Sequence, residues 1–374
     1  MHYASLCAII KDEDRDIREW LAYHLAIGFE HVLIYDNNSR IPLSATLQDL
    51  VSAGLVTVVD WPLTRAQQLS AYHHALKSWG ARTRWLAFID VDEFILPLQH
   101  EDVRDFLDEY GMHGGVGAHW STFGSGGHMG RPSGGILANY TQNLGLNPHI
   151  KSIVQPSLVL RPVSAHHFAF RPDAFCVNED HVPVTDFMSY PVGERIRINH
   201  YYYKSQQDFQ DKIARGLVTQ MKSGAERTMQ NFYDHLGEPA VSDTRILRFL
   251  PRMQQFLELP AQALAATVRR GADRDVDALA RDMALALEND DLDEALRKGR
   301  ILSRRHEGLD LARLEQAAAG APDRLARMKD AIVARMRQPD LPPAELRRCY
   351  EALAAWYAAC GRPQAAQAIG EWLG

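Results

Sequence analysis

Cysteine is scarce in this chain. Its four residues, Cys7, Cys176, Cys349 and Cys360, stand far apart and share no metal-site spacing, which argues against a disulfide framework and fits reduced thiols. Also missing are an N-terminal signal peptide and any apolar run long enough to cross a bilayer, so a soluble, cytoplasmic protein is expected. No block of single-sign charge interrupts the sequence and the net charge is only -6, so nucleic acid is not an expected partner. Histidine nearly vanishes from the later part: fourteen of the sixteen lie at or before His200. Aromatic residues thin out beyond Leu257, where only Tyr350, Trp356, Tyr357 and Trp372 remain.

The last two absences mark a change of architecture. Beyond Leu257 the chain is rich in Ala, Leu, Arg and acidic residues, and the boundary falls near residue 250. The expected organisation is an α/β domain over 1–250 followed by an all-α domain over 251–374. A chain of 374 residues is long enough for two or three domains and a large core.

The first part alternates strand and helix. Apolar segments at 3–10, 31–35, 55–59 and 84–89 read as strands, and 14–27 and 65–79 as helices. In the first helix Ile17, Trp20, Leu21, His24 and Leu25 recur near helical spacing. The second strand ends in Asp36-Asn37-Asn38-Ser39, a turn and helix-capping composition. Strands joined by helical crossovers predict a parallel, Rossmann-like sheet. Residues 111–200 differ, with ten of the twenty-five glycines between Gly111 and Gly135, short β-branched runs and several prolines. They read as irregular loops and antiparallel strands, a composition suited to ligand contact. Residues 206–222 read as a helix with Phe209, Ile213 and Leu217 on one face.

In the tail, 275–289, 293–304 and 310–319 read as helical hairpins. Residues 345–360 and 364–373, joined by Gly361-Arg362-Pro363, form a helix–turn–helix of roughly tetratricopeptide length; an irregular bundle is the alternative. Such a tail serves binding or homo-oligomer formation, or covers a face of the first domain.

The most informative stretch is Trp85-Leu86-Ala87-Phe88-Ile89-Asp90-Val91-Asp92-Glu93-Phe94. A buried strand ends in two carboxylates one residue apart, and in open α/β sheets ligands bind at the carboxyl ends of strands. Alternation along this extended segment puts Asp90 and Asp92 on one side. With Glu93 beside them they suit a hard divalent cation that holds a diphosphate; the plain alternative is a strand end with solvated acids.

Ordered motifs over residues 3–216 then resemble a GT-A-type glycosyltransferase of the family 2-like group, close to the family 92 type. They are Cys7 to Glu13 with Glu19-Trp20-Leu21 and His24; Tyr35-Asp36-Asn37-Asn38-Ser39; Gln68 with Ala71-Tyr72; Trp85 to Phe94; Trp120 with Phe123-Gly124-Ser125; Lys151-Ser152; His166-His167-Phe168; and Asn199-His200-Tyr201 with Lys204-Ser205, Phe209, Lys212 and Arg215-Gly216. The resemblance implies a GT-A mixed sheet and transfer of a sugar from a nucleotide-sugar donor to a glycan or glycoconjugate acceptor, with Mn²⁺ or Mg²⁺. Peripheral membrane association through the acceptor is compatible with it.

Within that resemblance Asp92 binds the metal, Asp90 contacts the ribose or the metal through water, and His200 is the third ligand. Lys11, Glu13 and Asp36 fall where the nucleoside should sit, at the switch point of the sheet; Asp36 is alternatively a turn or capping acid. Gln68 and Tyr72, one helical turn apart, flank the nucleoside. Lys151 and Arg215 are candidates for the donor phosphates or an acidic acceptor, with a solvated charge as the alternative, and Lys204 is a further donor-site residue. Trp120 and Phe123 offer platforms for a sugar, and Gly124 to Gly127 allow close backbone approach. Inversion needs a general base, and Asp173, Glu179, Asp180, Asp186, His166 and His167 stay open for it, with Asp180 and His167 carried forward as the catalytic pair beside Asp92. Nucleotidyl transfer is a second enzyme reading, disfavoured because Lys11-Asp12-Glu13-Asp14 replaces a glycine-rich basic phosphate loop after the first strand. A third is a non-catalytic adaptor acting through the tail, against which Asp90, Asp92 and His200 argue.

Overall fold

Four apolar strands form the parallel half of the sheet: β1 (His2–Ile10), β2 (His31–Asp36), β3 (Val56–Asp60) and β4 (Thr83–Phe88), in the order β3-β2-β1-β4. The computed structural model from which this is read describes residues 1–65, 67–172, 174–215 and 227–269, together with 332, 333, 336, 347, 349–354, 366, 367 and 369. All three pairings are parallel. Alternate β1 residues serve opposite faces, as strand geometry requires. Leu6, Ala8 and Ile10 pack in one cluster with Trp20, Leu21 and Leu25 of the helix Ile17–Ala26. Cys7 and Ile9 pack in the other with Ala71, Tyr72 and Ala75 of the helix Gln67–Trp79.

The chain then makes β5 (Glu93–Pro97), β6 (Gly115–Phe123) and β7 (Gln142–Val154). β7 runs antiparallel to both β4 and β6, which converts the parallel sheet into a mixed one. This is the mixed α/β sheet that the sequence predicts. A strand at Ile196–His200 lies antiparallel to β5 and parallel to β6, placing His200 opposite both Glu93 and Thr122. Strand order reverses between β1 and β4, and their carboxyl ends meet at a switch point.

His24 belongs to this core. Its Nδ1 is 2.8 Å from the Trp20 carbonyl oxygen, and its Nε2 accepts the Ile95 N–H at 3.2 Å. Burial pulls its pKa down to about 3, so the ring is neutral.

Two compact units are present, Met1–Val268 and Arg269–Gly374. The first runs past the compositional boundary near residue 250, because Met253 and Phe256 of the helix Leu250–Glu258, with Leu264 and Ala265, join the main core. Of the tail, the predicted helices 275–289, 293–304 and 310–319 lie outside the described residues. Within 345–360, residues 349–354 are described and helical, with Cys349 and Ala352 buried; the rest of the tetratricopeptide-length pair lies outside, apart from a few isolated residues. The segment 216–222 of the predicted helix 206–222 is also outside, and the described helix is Gln206–Arg215. Cys7 and Cys176 are free thiols, and both are buried, as is Cys349. Among the described residues no helix is long and apolar enough to cross a membrane.

Candidate active site at the β4–β5 turn

The apolar run of β4 ends at Phe88, and Asp90 to Asp92 turn directly into β5. Asp90 N–H donates to Glu93 Oε2 (3.0 Å) and Glu93 N–H to the Asp90 carbonyl (3.1 Å). The two aspartates are therefore turn residues, and strand alternation does not govern them. Each carboxylate has its own partners. Asp90 accepts from Lys151 Nζ (2.8 Å) and Gln68 Nε2 (3.3 Å), and Gln68 in turn donates to the Tyr72 hydroxyl at 3.1 Å. Asp92 accepts from Lys212 Nζ on one oxygen, and its other oxygen faces His200 Nε2 at 3.7 Å.

The electrostatics follow from burial against pairing. Burial works against charge on Asp92, but Lys212 and His200 outweigh it and hold the carboxyl well below the usual range. Burial lowers the His200 pKa despite Asp92, which leaves a neutral imidazole at pH 7. Burial works against the Lys151 ammonium, but the Asp90 carboxylate at 2.8 Å leads the interactions that more than compensate and raise its pKa. Glu93, fully buried and 3.6 Å from Lys151, is pushed well above the usual carboxylate range by burial.

Two cavities meet at Asp92. The larger, about 870 Å³, is lined by the chain after β1 (Lys11 to Asp16) and by Asn38, Arg40, Lys204, Lys212 and Arg215 among others. The smaller, about 270 Å³, takes in Gln68, Asp90, Trp120, Lys151, His166, His200 and Arg227. Lys11, Glu13, Asp92, Tyr202, Lys212 and Arg215 line both. Of the four non-glycine residues with positive φ among those described, Asp12, Asn38 and Lys204 line the larger cavity. Such backbone is uncommon and collects where a surface must be shaped for a ligand. Glu13 pairs with Arg215 at 2.7 Å, and Lys204 pairs with Asp16 and lies 3.9 Å from Glu13.

The expected residues divide accordingly. Lys11, Glu13, Gln68, Asp90, Asp92, Lys151, His200 and Lys204 line one or both cavities, and Tyr72 is buried behind Gln68 as its partner. Asp36 lines neither. Its oxygens accept the backbone N–H groups of Ser39 (3.0 Å) and Leu43 (2.8 Å), so it is the turn acid that the Asn/Asp-rich sequence also allowed. Lys151 is a correction of another kind: its side chain is 1% exposed and committed to Asp90 and Glu93, so it supports Asp90 and does not reach out to phosphate. Phe123 is buried against Tyr201, and Trp120 alone of that pair lines the cavity, with its Nε1 buried and unpartnered.

None of the described acids open for the base role faces the cavities. Glu179 accepts the backbone N–H groups of Glu194, Arg195 and Ile196, and Asp180 and Asp186 are exposed and line neither cavity. Asp180 follows a short strand that pairs with the Gly115–Val116 end of β6, away from Trp120. Asp173 lies outside the described residues. In the histidine pair, His166 lines the smaller cavity and His167 does not. The tight turn before Phe168 aims only one of two neighbouring side chains inward. His166 Nδ1 donates to the Ile150 carbonyl (2.7 Å), leaving Nε2 as an acceptor; burial and Lys151 hold its pKa at about 3.

Sequence reasoning assigned no role to Lys212, although it is one turn before Arg215. That i, i+3 spacing on a helix face was the available signal. Arg227, which donates to the Tyr202 hydroxyl at 3.1 Å, carried none.

Residues 4–235 match the family model described as Glycosyltransferase family 92. A glycosyltransferase family 92 protein of Ricinus communis is 30% identical over 227 residues, covering 58% of this chain and 38% of that protein. One from Oryza sativa subsp. japonica is 30% identical over 226 residues, covering 58% and 36%. One from Arabidopsis thaliana is 24% identical over 257 residues, covering 64% and 42%. The chain thus spans under half the length of these relatives. Among solved structures, S. aureus TarS 1-349 in complex with UDP-GlcNAc aligns over 99% of this chain and 90% of that one, at 12% identity and a TM-score of 0.31, too low to bear on chemistry.

Proposed function

The chain belongs to glycosyltransferase family 92, and we propose that it moves a sugar from a nucleoside-diphosphate donor to a hydroxyl of a glycan or glycoconjugate. The observation that carries this reading is the convergence of Asp90, Asp92, His200, Lys212 and Arg215 on one pair of cavities at the β1/β4 switch point.

In this reading the nucleoside lies beside the chain after β1, where Lys11 and Glu13 line both cavities. Lys151 and Gln68 fix the Asp90 carboxylate from two sides, so it presents a set orientation to the ribose. Breaking the sugar–phosphate bond builds negative charge on the leaving diphosphate. Lys212 and Arg215 are the cations placed to meet it, and preorganised charge of this kind is a large catalytic term. Trp120 and His166 wall the smaller cavity where sugar and acceptor would meet. His166 Nε2 accepts the acceptor hydroxyl's hydrogen bond and, with a pKa near 3, does not keep the proton but relays it to water or to the leaving diphosphate as the sugar–phosphate bond breaks. We favour inversion, a single displacement at the anomeric carbon.

A divalent cation fits part of the expected ligand set. Asp92 Oδ1 and a neutral His200 Nε2 at 3.7 Å match two ligands of one ion with bonds of roughly 2.1 Å. Asp90, held by Lys151 and Gln68, is not a third ligand in this arrangement, and no three His, Cys, Asp or Glu side chains among the described residues are grouped so as to hold an ion by themselves. Phosphate oxygens and water would complete the shell, as is usual for Mg²⁺ at nucleotide sites. Bound there, Mn²⁺ or Mg²⁺ would supply Lewis-acid stabilisation of the leaving diphosphate.

The test is release of nucleoside diphosphate from a panel of nucleotide sugars with Mn²⁺, with and without saccharide acceptors. The reading expects one donor to be consumed by the wild type and spared by Asp92→Asn. Failure of every donor, or equal release by both proteins, would overturn it.

A further inference from the structure

We propose that Lys212 is a built-in cation that competes with the divalent ion for Asp92 and is drawn off by the donor's diphosphate, so that metal and donor bind cooperatively. The inference rests on the donor site proposed above. Asp92 is the residue that both cations need. One of its oxygens is bonded to Lys212 Nζ, and the other faces His200 Nε2 at 3.7 Å. The ammonium is held there by two further contacts, a hydrogen bond to the Tyr202 carbonyl (3.0 Å) and the Tyr202 ring, whose centroid is 4.1 Å away.

An ion seated between Asp92 and His200 would share a single carboxylate with that ammonium. Two like charges at such a distance repel strongly at the low polarity of a half-enclosed site. Metal alone must therefore displace Lys212 or bind weakly beside it. A diphosphate changes the balance. It brings several acceptor oxygens and at least two negative charges, and a lysine ammonium is a mobile point charge well suited to phosphate. Lys212 lines both cavities, within reach of a ligand in either, and it is the cation bonded to Asp92. Arg215, one turn on, lines both as well but is paired with Glu13 and the Asp12 carbonyl, so moving it would free nothing at Asp92. Exchange of Lys212 from Asp92 to phosphate frees the carboxylate for metal as the donor arrives. By linkage, each ligand then tightens the other by the same factor.

The experiment is Mn²⁺ titration followed by electron paramagnetic resonance on full-length wild type, Lys212→Met, Lys212→Gln and Lys212→Arg, without nucleotide. Both neutral variants should bind Mn²⁺ about tenfold tighter or more than wild type, within the usual range of such couplings, and Lys212→Arg should resemble wild type. Adding Asp92→Asn to Lys212→Met should remove the gain. Mn²⁺ affinity in the neutral variants equal to or weaker than that of wild type overturns the proposal. UDP, GDP and ADP binding to the wild type, read in EDTA and again with Mn²⁺ present, separates the two levels. If one binds with Mn²⁺ while the Mn²⁺ affinities of wild type and neutral variants agree, Lys212 alone is misread; if none binds with Mn²⁺, the donor site fails and the inference with it.

Discussion

Exchanging Glu179 for glutamine takes one acceptor and one negative charge from a carboxylate that holds three successive backbone N–H groups, those of Glu194 (2.7 Å), Arg195 (3.0 Å) and Ile196 (2.8 Å). These bonds fix the entry to the strand Ile196–His200, which delivers His200 to the site. The glutamine oxygen can keep Arg195 and Ile196, but those bonds lose charge assistance, about 1 kcal/mol each. Its amide nitrogen then faces the Glu194 N–H, donor against donor, for a further loss of about 1 kcal/mol at a position that water reaches. The expected cost is about 3 kcal/mol, a fall in melting temperature on the order of 6–12 °C for a unit of this size. Turnover per folded molecule should stay within a few-fold of wild type, because Glu179 lines neither cavity. Thermal melts paired with donor-release kinetics below the variant's melting point would decide it. A variant that melts like wild type but turns over a hundred times more slowly would make Glu179 the base and refute the clip.

Asp92→Asn should leave the fold intact while lowering turnover on the order of 100-fold or more, since one charge of the diphosphate-facing apparatus is lost; donor-release assays at saturating metal check this. Asp243 gives a prediction in pH. Burial works against its charge, but bonds from Arg245 and Arg197 outweigh that and hold the carboxyl far below its ordinary range. A depressed folded pKa contributes stability that is present above the unfolded value near 3.9 and lost as pH falls through the folded one. Asp243→Asn should therefore be less stable by roughly 3 kcal/mol at pH 7, with Arg197 left buried without a carboxylate partner, and the gap should begin to narrow below about pH 4. Urea melts across pH 3–7 test this, and a gap that widens in acid would contradict it.

The strands were legible because each is a short apolar run broken by turn residues, and the runs at 31–35 and 84–89 fall within a residue of the observed strands. The acids after β4 were legible as a pair, though for an incomplete reason, since a turn and not an extended segment carries them. What sequence could not supply was the fate of each polar group once packed. Asp36 reads first as a ribose ligand and only second as a turn acid; the Leu43 N–H, seven residues on, makes it a turn acid. Lys151 reads as a free cation until β7 places it under Asp90 and Glu93. His166 and His167 differ only in which side of a tight turn each occupies. Asp180 is close to the motifs in sequence, but the short strand before it pairs at the far end of β6.

The most direct test of the central claim, that the paired cavities at the β4–β5 turn hold a nucleoside diphosphate, is calorimetric titration of UDP, GDP, CDP and ADP into wild type and Asp92→Asn with Mn²⁺ present. A ligand that binds only the native state also stabilises it, by about 2.7 kcal/mol at a hundred times its dissociation constant, so melting temperatures give an independent reading. The account predicts that one nucleotide binds the wild type and raises its melting temperature, and that Asp92→Asn binds it at least tenfold more weakly, a difference of about 1.4 kcal/mol. Binding of none of the four, or binding unchanged by Asp92→Asn, would contradict it.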